Sequence, residues 1–235
     1  MQLERILQKH GFGTRKGCRS LVRQERVSIN GAVCDDPFAD IPTENLVFTV
    51  DGVDWPFLET AALLLNKPAG YECSRKPQHH LGVLELIPPQ LRERGVQPIG
   101  RLDEDTTGML LITDDGQLNH VLSSGKRKAP KVYLATTKHA LDEAQIAQLL
   151  AGVLLHDEPE PIAAAAAEIA APNLLRLTLT EGKYHQVKRM VAAVGNRVEA
   201  LHRVQIGGLS LPDDLKPGEW RWLSAVDLEK LLELP

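Results

Sequence analysis

Residues 98–116 read Pro98-Ile99-Gly100-Arg101-Leu102-Asp103-Glu104-Asp105-Thr106-Thr107-Gly108-Met109-Leu110-Leu111-Ile112-Thr113-Asp114-Asp115-Gly116. A polar loop runs directly into an apolar stretch, Met109 to Thr113, that reads as a buried strand and stops at the Asp114-Asp115-Gly116 turn. This order sets Asp103 at the mouth of a sheet, on a loop shaped by Gly100, Thr106, Thr107 and Gly108. Reactive groups tend to sit on loops carried by a rigid scaffold. Taken alone, Asp103 fits a turn-capping aspartate as well as a reactive one.

The flanking sequence supplies the rest of that scaffold. Leu63-Leu64-Leu65-Asn66-Lys67-Pro68 reads as a buried strand leaving into a turn, and Val132-Tyr133-Leu134-Ala135-Thr136 and Leu175–Thr180 alternate as strands. Helices are predicted at Leu141–Ala151 and about His185–Ala193, the second followed by Gly195. The run Ala163–Ala167 has helical propensity, yet its neighbours favour an extended segment, and it is assigned to a strand. The pattern is α+β, with a mixed, mostly antiparallel sheet.

The first residues follow a different plan. Leu3-Glu4-Arg5-Ile6-Leu7 begins a short amphipathic helix that stops at Gly11. Thr14 is placed to cap a second helix, Arg15 to about Gln24, with Leu21 and Val22 inward and Arg15, Lys16, Arg19 and Arg23 outward. Val27-Ser28-Ile29, the Asn30-Gly31 turn and Ala32-Val33-Cys34 form a hairpin. Two basic helices before a hairpin resemble the RNA-binding domain named after ribosomal small-subunit protein S-four. Residues 1–34 carry a local charge of +5 and residues 35–60 one of −7, a segregation hidden by the net charge of −4. The acidic stretch, with Pro37, Pro42, Gly52 and Pro56, reads as the end of this unit plus a linker. Two domains follow, residues 1–58 and 59–235.

Composition narrows the class. With 43% hydrophobic residues the chain of 235 has material for a real core. No apolar run is long enough to cross a bilayer, and residues 1–20 lack the apolar core of a secretory signal, so a cytoplasmic location is expected. Cys18, Cys34 and Cys73 are widely spaced and odd in number, which argues against a disulfide framework or a zinc site. His79-His80 lacks a ligand pair at helical spacing, so no metal is expected.

Four ordered motifs then identify a family. Gly100-Arg101-Leu102-Asp103 with Thr106-Thr107-Gly108, the apolar strand and Thr113-Asp114-Asp115-Gly116 is similar to the signature of the RsuA-type pseudouridine synthases. Leu65–Tyr71 resembles their entry motif, Lys131-Val132-Tyr133 their Lys-x-Tyr strand, and Glu181–Met190 their basic helix motif. The resemblance implies isomerisation of a uridine in ribosomal RNA without cofactor or metal. It implies that Asp103 is the catalytic carboxylate, that Lys188 is its ion-pair partner and that Tyr133 packs against the target base. Whether Asp103 attacks the base, attacks the sugar or removes a sugar proton stays open. Arg189 competes with Lys188 for the pairing role, because adjacent helical residues point about 100° apart.

Phosphate contacts are expected from Arg5, Arg15, Lys16, Arg19, Arg23, Arg101, Lys183 and Arg189. Lys126, Arg127, Lys128, Lys131, Arg197 and Arg203 are further candidates, and Arg101 serves equally as a loop anchor. Residues Tyr184–Met190 and Ala192–Asn196 resemble the enzyme acting on 16S rRNA more than those acting on 23S rRNA. The expected partner is thus 16S rRNA, free or within a pre-ribosomal particle, bound by a monomer. Two other classes compete. An RNA-binding assembly module would have lost one of Asp103, Tyr133 or Lys188, and all three are present. A glycoside hydrolase would use a carboxylate pair such as Asp103 and Asp105, but aromatic residues, its usual sugar platforms, are only 4%.

Overall fold

A computed structural model describes residues 1–74, 76–123 and 129–233. The chain forms two compact units, one of residues 1–61 with 84–97, the other of residues 62–83 with 98–235.

In the first unit, helix α1 (Leu3–Lys9) buries Leu3, Ile6 and Leu7, the spacing of one helical face. Helix α2 (Arg15–Arg23) starts where the Thr14 hydroxyl accepts the Gly17 N–H at 3.2 Å, and it buries Cys18 and Val22. Strands β1 (Val27–Ile29) and β2 (Ala32–Val33) turn at Asn30-Gly31, where φ is 51° and 81°. Such a left-handed pair is what a two-residue hairpin of matching twist requires.

The linker expected within residues 35–60 is instead a second hairpin, β3 (Val47–Val50) and β4 (Val53–Pro56). It turns at Asp51-Gly52, with φ of 51° and 80°, and completes a sheet of order β2-β1-β3-β4. The physical reason is burial, since Phe48, Val50 and Trp55 point inward and outweigh the acidic composition. Arg26 neutralises the turn, donating to the two Asp51 oxygens at 2.7 and 2.6 Å. Helix α3 (Pro89–Arg94) completes this unit.

The second unit is built on strands β5 (Ala62–Lys67), β9 (Thr107–Thr113), β10 (Lys131–Thr137), β11 (Ala166–Ala171), β12 (Leu174–Leu179), β13 (Val198–Ile206) and β15 (Trp220–Trp222). They lie in the order β11-β12-β10-β13-β9-β5-β15. Only the β9–β13 pair on this path is parallel, so the sheet is mixed and mostly antiparallel as expected. Short strands β8 (Gln97–Ile99) and β14 (Leu209–Ser210) add to it beside β9 and β13, while β6 (Tyr71–Glu72) and β7 (Leu81–Gly82) pair in a separate two-stranded sheet. The alanine run turns extended only at Ala166, where it begins to pair with β12.

The middles of the central strands, Leu63–Leu65 of β5 and Met109–Ile112 of β9, are apolar because both their faces are covered. Leu64, Met109 and Leu111 form a core with Ile99, Leu122, Ile206, Leu209 and Leu231. Gly108 has φ of 100°, and a Cβ there would lie 2.3 Å from the Arg203 carbonyl oxygen. Glycine is therefore what lets β9 reach β13. Helix α4 (Gly116–Ser123), not foreseen after the Asp114-Asp115-Gly116 turn, is started by Asp115, whose side chain accepts from the Gln117 and Leu118 N–H groups. Helix α5 (Glu143–Ala151) begins at a capping box of Asp142 and Gln145, and α6 (Gln186–Ala193) follows His185.

Helix α7 (Ala225–Leu232) begins at a capping box of Ser224 and Asp227. Asp227 also accepts from Arg221 at 2.7 and 3.0 Å. Arg221 holds the Asp227 carboxyl far below the usual carboxylate range, against the opposing effect of burial and with help from Ser224. A depressed folded-state pKa contributes stability that is fully present above the unfolded value near pH ~4 and is lost as pH falls through the folded value. Asp227→Asn is therefore expected to cost about 2 kcal/mol at neutral pH. Urea denaturation of both proteins from neutral to acid pH checks this: the gap should hold steady down to about pH 5 and then narrow.

Candidate active site

The loop that carries Asp103 is held from below by a lysine. Lys67 ends β5 with no exposed surface. Its Nζ donates to the carbonyl oxygens of Pro68 at 3.0 Å, Asp103 at 3.1 Å, Glu104 at 3.0 Å and Thr106 at 2.8 Å. The Thr106 N–H closes the turn onto the Asp103 carbonyl at 3.1 Å, and the Gly70 N–H donates to that of Glu104 at 3.0 Å. Burial pushes the Lys67 pKa down, against the pull of the acidic groups around it. Four acceptors around an ammonium with three protons keep its charge solvated by main chain rather than by water.

With the backbone fixed, the side chains of the loop meet α6. Lys188 Nζ lies 3.2 Å from Asp103 Oδ2 and donates to both oxygens of Asp105 at 2.7 and 2.9 Å. Burial opposes the charge on Lys188, but its bonds to Asp105 and the Asp103 carboxylate outweigh this and raise its pKa. Burial likewise opposes the Asp105 charge, and Lys188 overcomes it to lower that pKa. Arg189, the competitor by sequence, points elsewhere and donates to the Tyr184 carbonyl and to Asp157 at 3.2 and 3.5 Å. His185 Nε2 is 3.4 Å from Asp103 Oδ1. It sits at φ of 47°, with the Tyr184 ring stacked on it at 3.8 Å between centroids, and Tyr184 is 74% exposed.

These groups border an open cavity of about 1120 Å³. Asp103, Lys188, His185, Tyr133, Lys131 and Arg203 all line it, with Tyr133 itself only 8% exposed. The Asp103 side chain is 31% exposed rather than buried, so it faces the space a substrate would fill. Arg101 and Lys183 also line the cavity, Arg101 exposed and Lys183 bound to Glu158 at 2.6 Å.

The remaining basic candidates are distributed as follows. Arg5, Arg15, Lys16 and Arg23 are exposed on α1 and α2, whereas Arg19 is bonded to the buried Glu4 and lies over Phe38. Arg197 is spent on Glu199 at 2.7 Å. Arg203, expected at a phosphate, is 2% exposed and donates from Nε to the Met109 carbonyl at 2.8 Å; that expectation is corrected, because a β-sheet residue so enclosed does not reach an RNA backbone. Lys126, Arg127 and Lys128 lie outside the described residues. Among the described residues no cluster of three or more His, Cys, Asp or Glu side chains suits a metal ion.

Sequence reasoning missed the roles of Lys67, Asp105 and His185 in this geometry. Lys67 had one signal, a charged residue closing an apolar strand. His185 and Asp105 had none, since only the fold brings residues 103–105 to the start of α6.

The arrangement is that of a partly exposed carboxylate, paired with a lysine, beside a tyrosine-lined cavity. A family model described as RNA pseudouridylate synthase matches residues 61–193. The chain is 36% identical to the ribosomal small subunit pseudouridine synthase A of Haemophilus influenzae, over 99% of this chain and 100% of that protein. It is 38% identical to the protein of the same name from Escherichia coli, over 90% of this chain and 91% of that one. It is also 36% identical, over 99% of both, to the Bacillus subtilis protein YtzG, described as an uncharacterized RNA pseudouridine synthase. A crystal structure of a pseudouridylate synthase superposes with a TM-score of 0.70 at 35% identity, covering 98% of this chain and 99% of that one.

Lys67→Met is expected to take this donor from the carbonyl oxygens of Pro68 and Thr106, to leave those of Asp103 and Glu104 with only the Thr106 and Gly70 N–H groups, and to destabilise the chain by roughly 3–5 kcal/mol. Denaturant titration measures the loss, and amide hydrogen exchange should show the loop of residues 103–106 opening first. Unchanged protection of that loop would show that it is held by other means.

Proposed function

The chain belongs to the RNA pseudouridylate synthase family and is an RNA isomerase, and we propose that it converts one uridine of 16S rRNA to pseudouridine with Asp103 as the reacting carboxylate. The observation that carries this reading is the Asp103–Lys188 pair at 3.2 Å, set at the rim of the cavity that Tyr133 lines.

The reaction breaks the N1–C1′ bond, turns the uracil, and joins C5 to C1′. The electron pair of the broken bond leaves with N1, so positive charge develops at the sugar. An ionised carboxylate is the group that meets such a centre, by bonding to it or by facing it. Lys188 stands 3.2 Å from Asp103, and Asp105 fixes Lys188 with two hydrogen bonds. The target base must be extruded from its stack to arrive here, and the Tyr133 ring offers it a packing surface. No redox or external atom enters, since substrate and product are isomers.

Phosphate contact falls to the exposed Arg5, Arg15, Lys16 and Arg23 of the first unit and to Arg101 and Lys183 at the cavity, with Arg19 and Arg189 in supporting positions. The choice of 16S rRNA is supported by the names of the relatives from Haemophilus influenzae and Escherichia coli. The protein acts as a monomer in the cytoplasm, on free rRNA or a pre-ribosomal particle. Among the described residues no helix is long and apolar enough to cross a membrane.

Pseudouridine mapping of rRNA from cells lacking the gene, restored with wild type or Asp103→Asn, tests this. One 16S rRNA pseudouridine should vanish and return with wild type alone, the variant losing on the order of 10⁴-fold or more in rate. RNA affinity of the variant should stay within about twofold of wild type. Loss of a 23S rRNA site instead would move the target, and an unchanged map would leave an RNA-binding module.

A further inference from the structure

Arg203 is enclosed in the sheet, and the bond from its Nε to the Met109 carbonyl accounts for one of its donors. Its Nη2 is fully buried and has no hydrogen-bond partner. A buried donor left unused is costly, so such a group usually marks a ligand or water. Lys131, also in the cavity, donates only a long bond of 3.3 Å to the Ala129 carbonyl. Burial pushes the Lys131 pKa down, and the Arg203 charge adds to that effect. Among the described residues no carboxylate lies within ion-pairing distance of either cation. Two enclosed positive groups thus share one cavity wall without a counter-ion.

The fold bends its backbone to bring this about. Val132 pairs with Gln205 but Tyr133 pairs with Arg203, so Val204 is an extra residue in β13. Such a bulge re-aims side chains. Without it Arg203 and Ile206, three residues apart, would point to opposite faces. With it both line the cavity, beside Lys131 and Tyr133, while Val204 and Gln205 line a separate surface pocket.

We infer that Arg203, assisted by Lys131, binds a carbonyl oxygen of the target uracil and stabilises the detached base while it turns. This rests on the proposed reaction. When the N1–C1′ bond breaks, its electron pair stays on N1, and the uracil anion spreads that charge onto O2 and O4. Turning the ring by half a revolution about its N3–C6 axis exchanges N1 with C5 and O2 with O4. A fixed donor therefore meets a carbonyl oxygen before and after the turn. C5 then bonds C1′, loses its proton, and N1 takes one up, so atoms and electrons balance. Donors in place before the charge develops are the most effective kind.

The test compares wild type with Arg203→Met, Arg203→Lys and Lys131→Met, full-length. The substrate is a synthetic rRNA fragment carrying the mapped target as uridine or as 6-azauridine. The ring nitrogen of 6-azauridine withdraws electrons and makes the departing base more stable as an anion. Arg203→Met should slow single turnover of uridine by about 10²–10³-fold, with RNA Kd within about twofold, and slow 6-azauridine about tenfold less. Lys131→Met should show the same ordering with smaller losses, and Arg203→Lys should retain part of the rate. Equal losses on the two substrates, or unchanged rates, would overturn the inference. If Arg203→Met fails to fold, the substrate ordering in the other two variants decides. A wild type that makes no pseudouridine would sink the proposed reaction and this inference together.

Discussion

The geometry of the site depends on a single ammonium group that never meets water. Lys67 gathers the carbonyl oxygens of Pro68, Asp103, Glu104 and Thr106 around its Nζ. Enclosing an unpaired ammonium costs several kcal/mol, and four acceptors close at hand offset that cost. The bonds run to main chain, so they set the path of the loop rather than the rotamer of any residue on it. Only on a loop so fixed can Asp103 stand at a constant distance from Lys188, which comes from another element 85 residues further on in the numbering.

Lys188 in turn decides what kind of carboxylate site this is. Two carboxylates close together without a cation share a proton, and their acidities are driven apart. Here Lys188 lies between Asp103 and Asp105 and is nearer to Asp105. Asp105 uses both oxygens on it and so has no free role as an acid or base. A glycosidase needs its second carboxylate facing the bond. The structure therefore favours one reacting carboxylate over a pair, in keeping with the family of the chain.

Much of this was legible in the order of residues, and the exceptions have physical reasons. Leu63-Leu64-Leu65 and Met109–Ile112 announced the central strands because a strand covered on both faces cannot hide its composition. The β3–β4 hairpin went unread although Asp51-Gly52 stood between alternating apolar residues, because seven nearby acids suggested a solvated linker. Helix α4 was hidden by the same Asp115 that starts it, since an aspartate before glycine reads as a turn. Asp103, Tyr133 and Lys188 were named from motifs, and the fold sets them around one cavity. Lys67 was not legible as a site residue, and Arg203 was read only as a phosphate contact. Their partners are carbonyl oxygens, which every residue carries and no pattern of side chains records.

Gly108 carries a consequence of its own. With φ of 100° it leaves room for less than one added carbon between β9 and the Arg203 backbone. The loop bearing Asp103 ends one residue earlier, at the start of β9. The carboxylate and the enclosed guanidinium are therefore tied through two strands touching at their closest approach. Packed backbones are far stiffer than the side chains they bear. The span from one to the other works as a ruler cut in main chain, and it keeps its length whether the space above it is filled or empty.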